Sequence, residues 1–217
     1  MDKLTWMNAE YIRALEPQKF LALARPYLDE ALGGGFDYEL ICSLIQPRLE
    51  TLAQIPEKVA FLKEMPDYDV SLYYHKKMKT SAETSLPALL AAKDALSKLN
   101  DFTIEGIHDT LIPLASEMGI KNGQLLWPVR VAISGVAVTP GGANEIACLL
   151  GKEETLRRLA EAFHAGCYAV SRGILCLGAE SRLRLFLRLA SVFDKSKRQP
   201  RAGLRRALGS AYHFISD

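Results

Sequence analysis

Apolar residues recur at helical spacing along most of the chain, and glycine and proline interrupt that pattern at short intervals. Ile107, Leu111, Leu114 and Met118 follow one another at steps of four, three and four, which puts them on one face of an α-helix. Leu86, Leu89, Leu90, Ala92, Leu96 and Leu99 form a second such run. Phe20, Leu21, Leu23, Ala24 and Leu28 form a third, opened by Pro17 and closed by Gly33-Gly34-Gly35, as proline suits a first helical turn and glycine a helix end. Asn8 is placed to cap a short helix through Glu10, Tyr11 and Leu15. Leu40, Ile41, Leu44 and Ile45 begin another, broken by Pro47, and Pro56 opens one containing Val59, Phe61 and Leu62. Thr103 starts the helix that Gly119 stops.

Residues 122–134 are rich in β-branched side chains and admit a strand, but the run is short and flanked by helices, so a helix is expected. A short helix over Asn144–Leu150 ends at Gly151, and Glu153 and Glu154 suit the start of the next. Arg157 and Arg158 fall outside its apolar positions, Leu156 and Leu159. The expected fold class is all-α: two small helical-bundle subdomains, 17–75 and 76–165, joined through a turn-rich connection over 66–81. Trp6 and Trp127 lie among apolar neighbours, which favours core packing over base stacking.

Charge divides the chain at a different place. The 217 residues hold 27 Lys and Arg against 25 Asp and Glu, a net +2. Residues 166–217 have eight Arg and two Lys against three acids, a net +7, which leaves −5 for residues 1–165. An acidic body thus precedes a poorly specified basic C-terminal tail. In that tail Leu183, Leu185, Leu187 and Leu189 alternate with Arg182, Arg184, Phe186 and Arg188, which suits neither a clean helix nor a covered strand. Leu204, Leu208 and Tyr212 fit one basic helix face. The tail is left unassigned: a read-through or mobile tail is expected, with an RNA-binding extension as the alternative. With 49% apolar and 24% charged residues, the chain is too apolar for wholesale disorder and too interrupted by charge for a membrane span.

Chemistry-bearing motifs are scarce. Cys42, Cys148, Cys167 and Cys176 are far apart, as are the four histidines, so zinc spacing is missing and no metal site is expected. Cys42 and Cys148 read as small buried hydrophobes. The N-terminus lacks the apolar core of a signal peptide, and reduced thiols in a cytoplasm are expected. No G-x-x-x-x-G-K-[ST], G-x-G-x-x-G or G-x-S-x-G motif occurs, so neither catalytic residues nor a cofactor-binding site is expected in this chain. Lys76-Lys77-Met78-Lys79-Thr80-Ser81 resembles the lysine-rich loop of class I aminoacyl-tRNA synthetases. That loop works beside a nucleotide-binding domain of which the sequence carries no sign, and it reads here as a basic surface connection.

A longer resemblance has four collinear parts. They are Lys3-Leu4-x-Trp6-Met7-Asn8-x-x-Tyr11-Ile12-Arg13, then Pro47-Arg48-x-x-Thr51-Leu52-x-x-x-Pro56-Glu57-Lys58, then Gly119-x-Lys121-x-Gly123-Gln124-x-x-x-Pro128-x-Arg130-x-Ala132-x-Ser134-Gly135. The last is Thr139-Pro140-Gly141-Gly142 with Leu149-Leu150-Gly151-Lys152-Glu153. Each is weak alone. In this order and spacing, over about residues 3–164, they resemble the region after the catalytic domain of bacterial glutamyl-tRNA synthetases.

The resemblance implies the end of the stem-contact region (1–16) followed by two helical anticodon-binding subdomains of the class I synthetase type. It implies binding of tRNA bearing a glutamate anticodon, in support of glutamylation by a catalytic domain that is the other expected partner. That domain would lie upstream of Lys3, so this chain is not expected to activate glutamate by itself; the parent enzyme uses ATP and magnesium. A truncated gene product, or a piece bounded artificially, is expected, and the chain is expected to be a monomer without membrane contact. Arg48 matches the arginine reading the third anticodon base, and Arg130 one near the middle base. Thr139, Pro140, Gly141 and Gly142 match a loop on the first two bases, with Gly142 where a common family pattern has leucine. Lys76, Lys77 and Lys79 are candidate phosphate contacts. Two alternatives stay open: a helical protein-interaction domain, and a regulatory paralogue with no tRNA role.

Overall fold

The computed structural model describes residues 3–175, with side chains as far as Ala165 except Glu83. The expectations for the 176–217 part of the tail, and for Cys167, lie outside what is described. Eight α-helices occur among the described residues, and the only strand-like pairing there is an isolated bridge between His75 and Thr80.

Helix α1 (Lys3–Ala14) turns Ala9 and Ile12 inward. It begins earlier than the sequence implied. Asn8 is not a cap: it sits mid-helix and donates its side-chain amide to the Glu50 carbonyl. Gln46 Nε2 closes the far end of α1 by donating to the carbonyls of Ile12 (3.0 Å) and Leu15 (2.8 Å), groups that a helix terminus leaves unpaired. Helix α2 (Pro17–Leu32) buries Phe20, Ala24, Leu28 and Leu32 and stops at Gly33, φ 75°, whose N–H bonds the Asp29 carbonyl. Leu23 is 48% exposed. One position before Ala24 it points about 100° off the buried row, which corrects its inner-face placement.

Helix α3 (Tyr38–Ile45) starts at the Asp37 side chain, which accepts the Leu40 N–H. It tightens at Pro47 into a 3-10 turn, Gln46–Arg48. Helix α4 (Ile55–Lys63) packs with α3 against α2. A 3-10 turn at Val70–Tyr73 then leads to α5 (Ala82–Ser97), opened by a reciprocal Ser81–Thr84 capping box. Helix α6 (Ile104–Glu117), capped by Thr103, and α7 (Asn122–Ser134) pack with α5. Leu125, Val129, Val131, Ala132 and Ile133 of α7 are fully buried; burial on nearly every side explains why this helix lacks a clear polar stripe. Gly135, φ 67°, ends it, and a Cβ there would meet Pro66 Cγ at 2.9 Å.

Helix α8 (Ala143–Leu175) is broken at Gly151, φ 75° and ψ 168°, where a separation of two helices was expected. Thr155 Oγ1 donates across the break to the Ala147 carbonyl, 3.1 Å.

Arg158 of α8 is fully buried, which corrects its reading as a residue off the apolar face. Its guanidinium donates to Phe61 O (2.7 Å), Leu62 O (3.0 Å) and Ile133 O (2.8 Å), and its Nε to Glu154 Oε1 (2.6 Å). The three carbonyls lie in the last turns of α4 and α7, where helices lack internal partners and carry partial negative charge. One cation therefore closes two helix ends and ties them to α8.

Two outcomes follow from this tie. Replacing Arg158 with Met keeps much of the bulk but strips three buried carbonyls of their donor. Denaturant unfolding should show a loss of about 3 kcal/mol, and a change within error would contradict the role. The hydrogen bonds of Arg157, and then of Arg158, hold the Glu154 carboxyl at a pKa of about 2, against 4.5 ordinarily. A depressed carboxylate stabilises the fold above its unfolded pKa and loses that contribution as pH falls through the folded one. Thermal unfolding between pH 4.5 and pH 2 should therefore fall more steeply in the wild type than in Glu154→Gln.

Candidate functional site

Arg48 ends the 3-10 turn after α3, beside the buried Leu49. Pro47 restricts the turn at the preceding position. Arg48 Nη1 donates to the Thr139 carbonyl at 2.6 Å, across 91 residues of sequence. The rest of the side chain is exposed, and its other guanidinium donors have no partner among the described residues.

The loop that receives Arg48 is built to be narrow. After Gly135 the Val136 N–H donates to the Ser134 hydroxyl (3.4 Å), which itself donates to the Arg130 carbonyl (2.7 Å). Thr139 is buried and donates Oγ1 to the Gly141 carbonyl at 2.6 Å. A Cβ on Gly141 would stand 3.1 Å from Leu44 Cδ1 and 3.2 Å from Glu145 Cβ, so close packing favours glycine there. Pro140 is half-buried and Gly142 exposed. Val138, on the same loop, is 85% exposed. Gly142 stands where a common family pattern has leucine, and Val138 presents an open apolar surface nearby. Sequence reading did not single it out, because Val136 and Thr139 of the same loop are β-branched as well and nothing local marks which of them is open.

Arg130 approaches this loop from α7. Its Nη2 donates to the Ala137 carbonyl at 3.0 Å. Its guanidinium carbon lies 4.5 Å from the centroid of the Trp127 ring, within cation–π range. Its Nε is buried and has no partner among the described residues. Burial, and then the charge of Arg48, hold its pKa below the ordinary arginine value. Neither Arg48 nor Arg130 is paired with a carboxylate among the described residues. The structure thus brings Arg48, Arg130 and residues 139–142 together, with the charge of two arginines left unneutralised.

Lys76, Lys77 and Lys79 lie on an exposed loop closed by two backbone hydrogen bonds between His75 and Thr80. Lys79 takes a left-handed conformation, φ 55°. The His75 ring stands 4.0 Å from that of Trp127, so the lysine loop is joined to the indole that also faces Arg130. Of the two tryptophans, Trp127 packs against the core as expected, whereas Trp6 departs from that expectation. Trp127 is half-buried with its Nε1 bonded to the Leu72 carbonyl (3.1 Å), and Trp6 is 53% exposed. Cys42 is buried and burial raises its pKa to about 11, so it is no nucleophile at neutral pH. Among the described residues no three metal-ligating side chains cluster, and no helix is long and apolar enough to cross a membrane.

Comparison with known proteins gives the family of the chain. Glutamate–tRNA ligase of Clostridium tetani is 48% identical over 157 residues, 72% of this chain and 32% of the ligase. That of Lachnoclostridium phytofermentans is 43% identical over 159 residues, 73% of this chain and 32% of the ligase. The chain thus spans about a third of the length of the curated relatives it matches. A crystal structure of a glutamate tRNA ligase from Elizabethkingia meningosepticum superposes with a TM-score of 0.62 at 23% identity, over 74% of this chain and 31% of that one. That likeness is one of fold. The family model for the anticodon binding domain matches residues 19–163, which hold both arginines and the loop between α7 and α8. The chain belongs to the anticodon binding domain family, and its relatives are glutamate–tRNA ligases.

Proposed function

We propose that this chain reads the anticodon of glutamate tRNA and so supports glutamylation by a synthetase catalytic domain. The observation that carries the reading is the convergence of Arg48 and Arg130, unneutralised, on the carbonyls of the 137–139 loop. Anticodon bases are splayed out and read on their Watson–Crick edges. A guanidinium only donates. Cytosine at the third anticodon position offers acceptors at O2 and N3 to the donors of Arg48 not used on Thr139. Guanine, which ends the glutamine anticodon, presents N1–H and N2–H there, so donor would face donor. Arg130 serves the middle base or its phosphate, residues 139–142 pack on the first two bases, and Lys76, Lys77 and Lys79 meet phosphates.

In this reading residues 1–16 end the stem-contact region, with 17–75 and 76–165 as two helical subdomains. ATP and magnesium act in the catalytic domain of the parent enzyme. The chain works as a cytoplasmic monomer beside that domain. The alternatives, a protein-interaction domain or a regulatory paralogue, gain no support from the relatives or from the un-neutralised arginines.

Hairpins carrying cytosine or guanine at the third anticodon position test the reading. Wild-type chain should prefer cytosine by roughly 5- to 150-fold, the discrimination of one good bidentate contact, and Arg48→Gln should bring the ratio toward unity. An unchanged ratio would remove Arg48 from the reading head.

A further inference from the structure

Arg130 stands where the charge of Arg48 opposes it and no carboxylate of the described residues offsets the repulsion. One carbonyl, that of Ala137, takes a single hydrogen bond from Nη2. What faces the guanidinium is the ring of Trp127, three residues earlier on α7 and therefore on the same helix side. The indole is itself fixed. Its Nε1 donates to the Leu72 carbonyl in the 3-10 turn Val70–Tyr73, which packs on α7. His75 stands against it at 4.0 Å with a 52° tilt. His75 also closes the lysine loop through its backbone pairing with Thr80, and its Nδ1 accepts the Met78 N–H at 3.2 Å. The indole therefore touches both parts of the basic surface.

An aromatic face does what a carboxylate in the same place would not. It attracts the cation through its quadrupole without consuming N–H donors or cancelling charge. A carboxylate would hold Arg130 equally well but would spend both on the protein.

We infer that Trp127 is a positioning residue of the anticodon site: its face holds the Arg130 guanidinium beside Arg48, and its contact with His75 seats the lysine loop, so that arginines and lysines meet RNA as one surface. The inference rests on the reading proposed above for the ligand. The placement of Arg130 is independent of that reading.

Two readouts on the full chain test it. The first needs no RNA. The Arg130 Nε–H resonance, assigned by its loss in Arg130→Gln, should be shifted upfield by the indole ring current in wild type. It should stay displaced in Trp127→Phe and return to the ordinary guanidinium position in Trp127→Leu. The second is binding to a hairpin with the glutamate anticodon. Trp127→Leu should weaken it by about 2- to 30-fold, the range of one cation–π contact, and Trp127→Phe should stay near wild type. In an Arg130→Gln background, Trp127→Leu should cost much less than it does alone, because both changes remove one device.

An undisplaced Nε–H resonance in wild type overturns the inference even if Trp127→Leu fails to fold. Losses that simply multiply in the double variant overturn it as well. Wild-type chain that binds glutamate and scrambled hairpins equally would sink the functional reading, while the resonance still reports on Arg130.

Discussion

The buried guanidinium of Arg158 is the contact on which the placement of the rest depends. Burying a cation is costly unless its hydrogen bonds are made and its charge is answered. Here the answer comes from the carbonyls that end α4 and α7, together with Glu154. The same groups would be costly to bury without a donor. Each side of the contact thus resolves the other's problem, and α4, α7 and α8 are held in one arrangement. The Arg48 turn lies shortly before α4, and the 137–141 loop lies between α7 and α8. Fixing these helices therefore brings the arginine of one segment to the carbonyl of another, 91 residues away.

The site depends on a contrast in how arginines are treated. Arg158 is answered in full by helix ends and a carboxylate, and its charge serves the fold. Arg48 and Arg130 are held by loop carbonyls and an indole face, which orient them without neutralising them. That contrast lets residues 1–165, with a net charge of −5, carry the cationic surface that the proposed RNA reading requires. Only a local cationic face is required, and its charge has to be left unspent by neighbouring acids.

Local features of the fold were legible where local chemistry determined them. Gly33, Gly135 and Gly151 take the positive φ values that mark helix ends, Pro17 and Pro56 open helices, and Thr103 caps one. Reading failed where a distant partner decided the outcome. Asn8 looked like a cap because its amide partner, the Glu50 carbonyl, is 42 residues on. Arg158 looked like a residue off the apolar positions because its carbonyl partners lie 25 to 97 residues away. Trp6 lay among apolar neighbours in sequence but is more than half exposed. In the candidate site Arg48, Arg130 and residues 139–142 came from resemblance, since no periodicity links a turn after α3 to a loop after α7. Val138 was missed because nothing local distinguishes a loop valine that is buried from one left open.

The central claim is that the arginine pair and the loop beside it, rather than another face of the helices, meet the RNA. Mapping backbone and guanidinium NMR shifts of the full chain on titration with a glutamate-anticodon hairpin tests this most directly. The largest changes are expected at Arg48, Arg130 and residues 136–142, with smaller ones over 75–80. Changes concentrated elsewhere, with the two guanidinium groups unmoved, would contradict that claim.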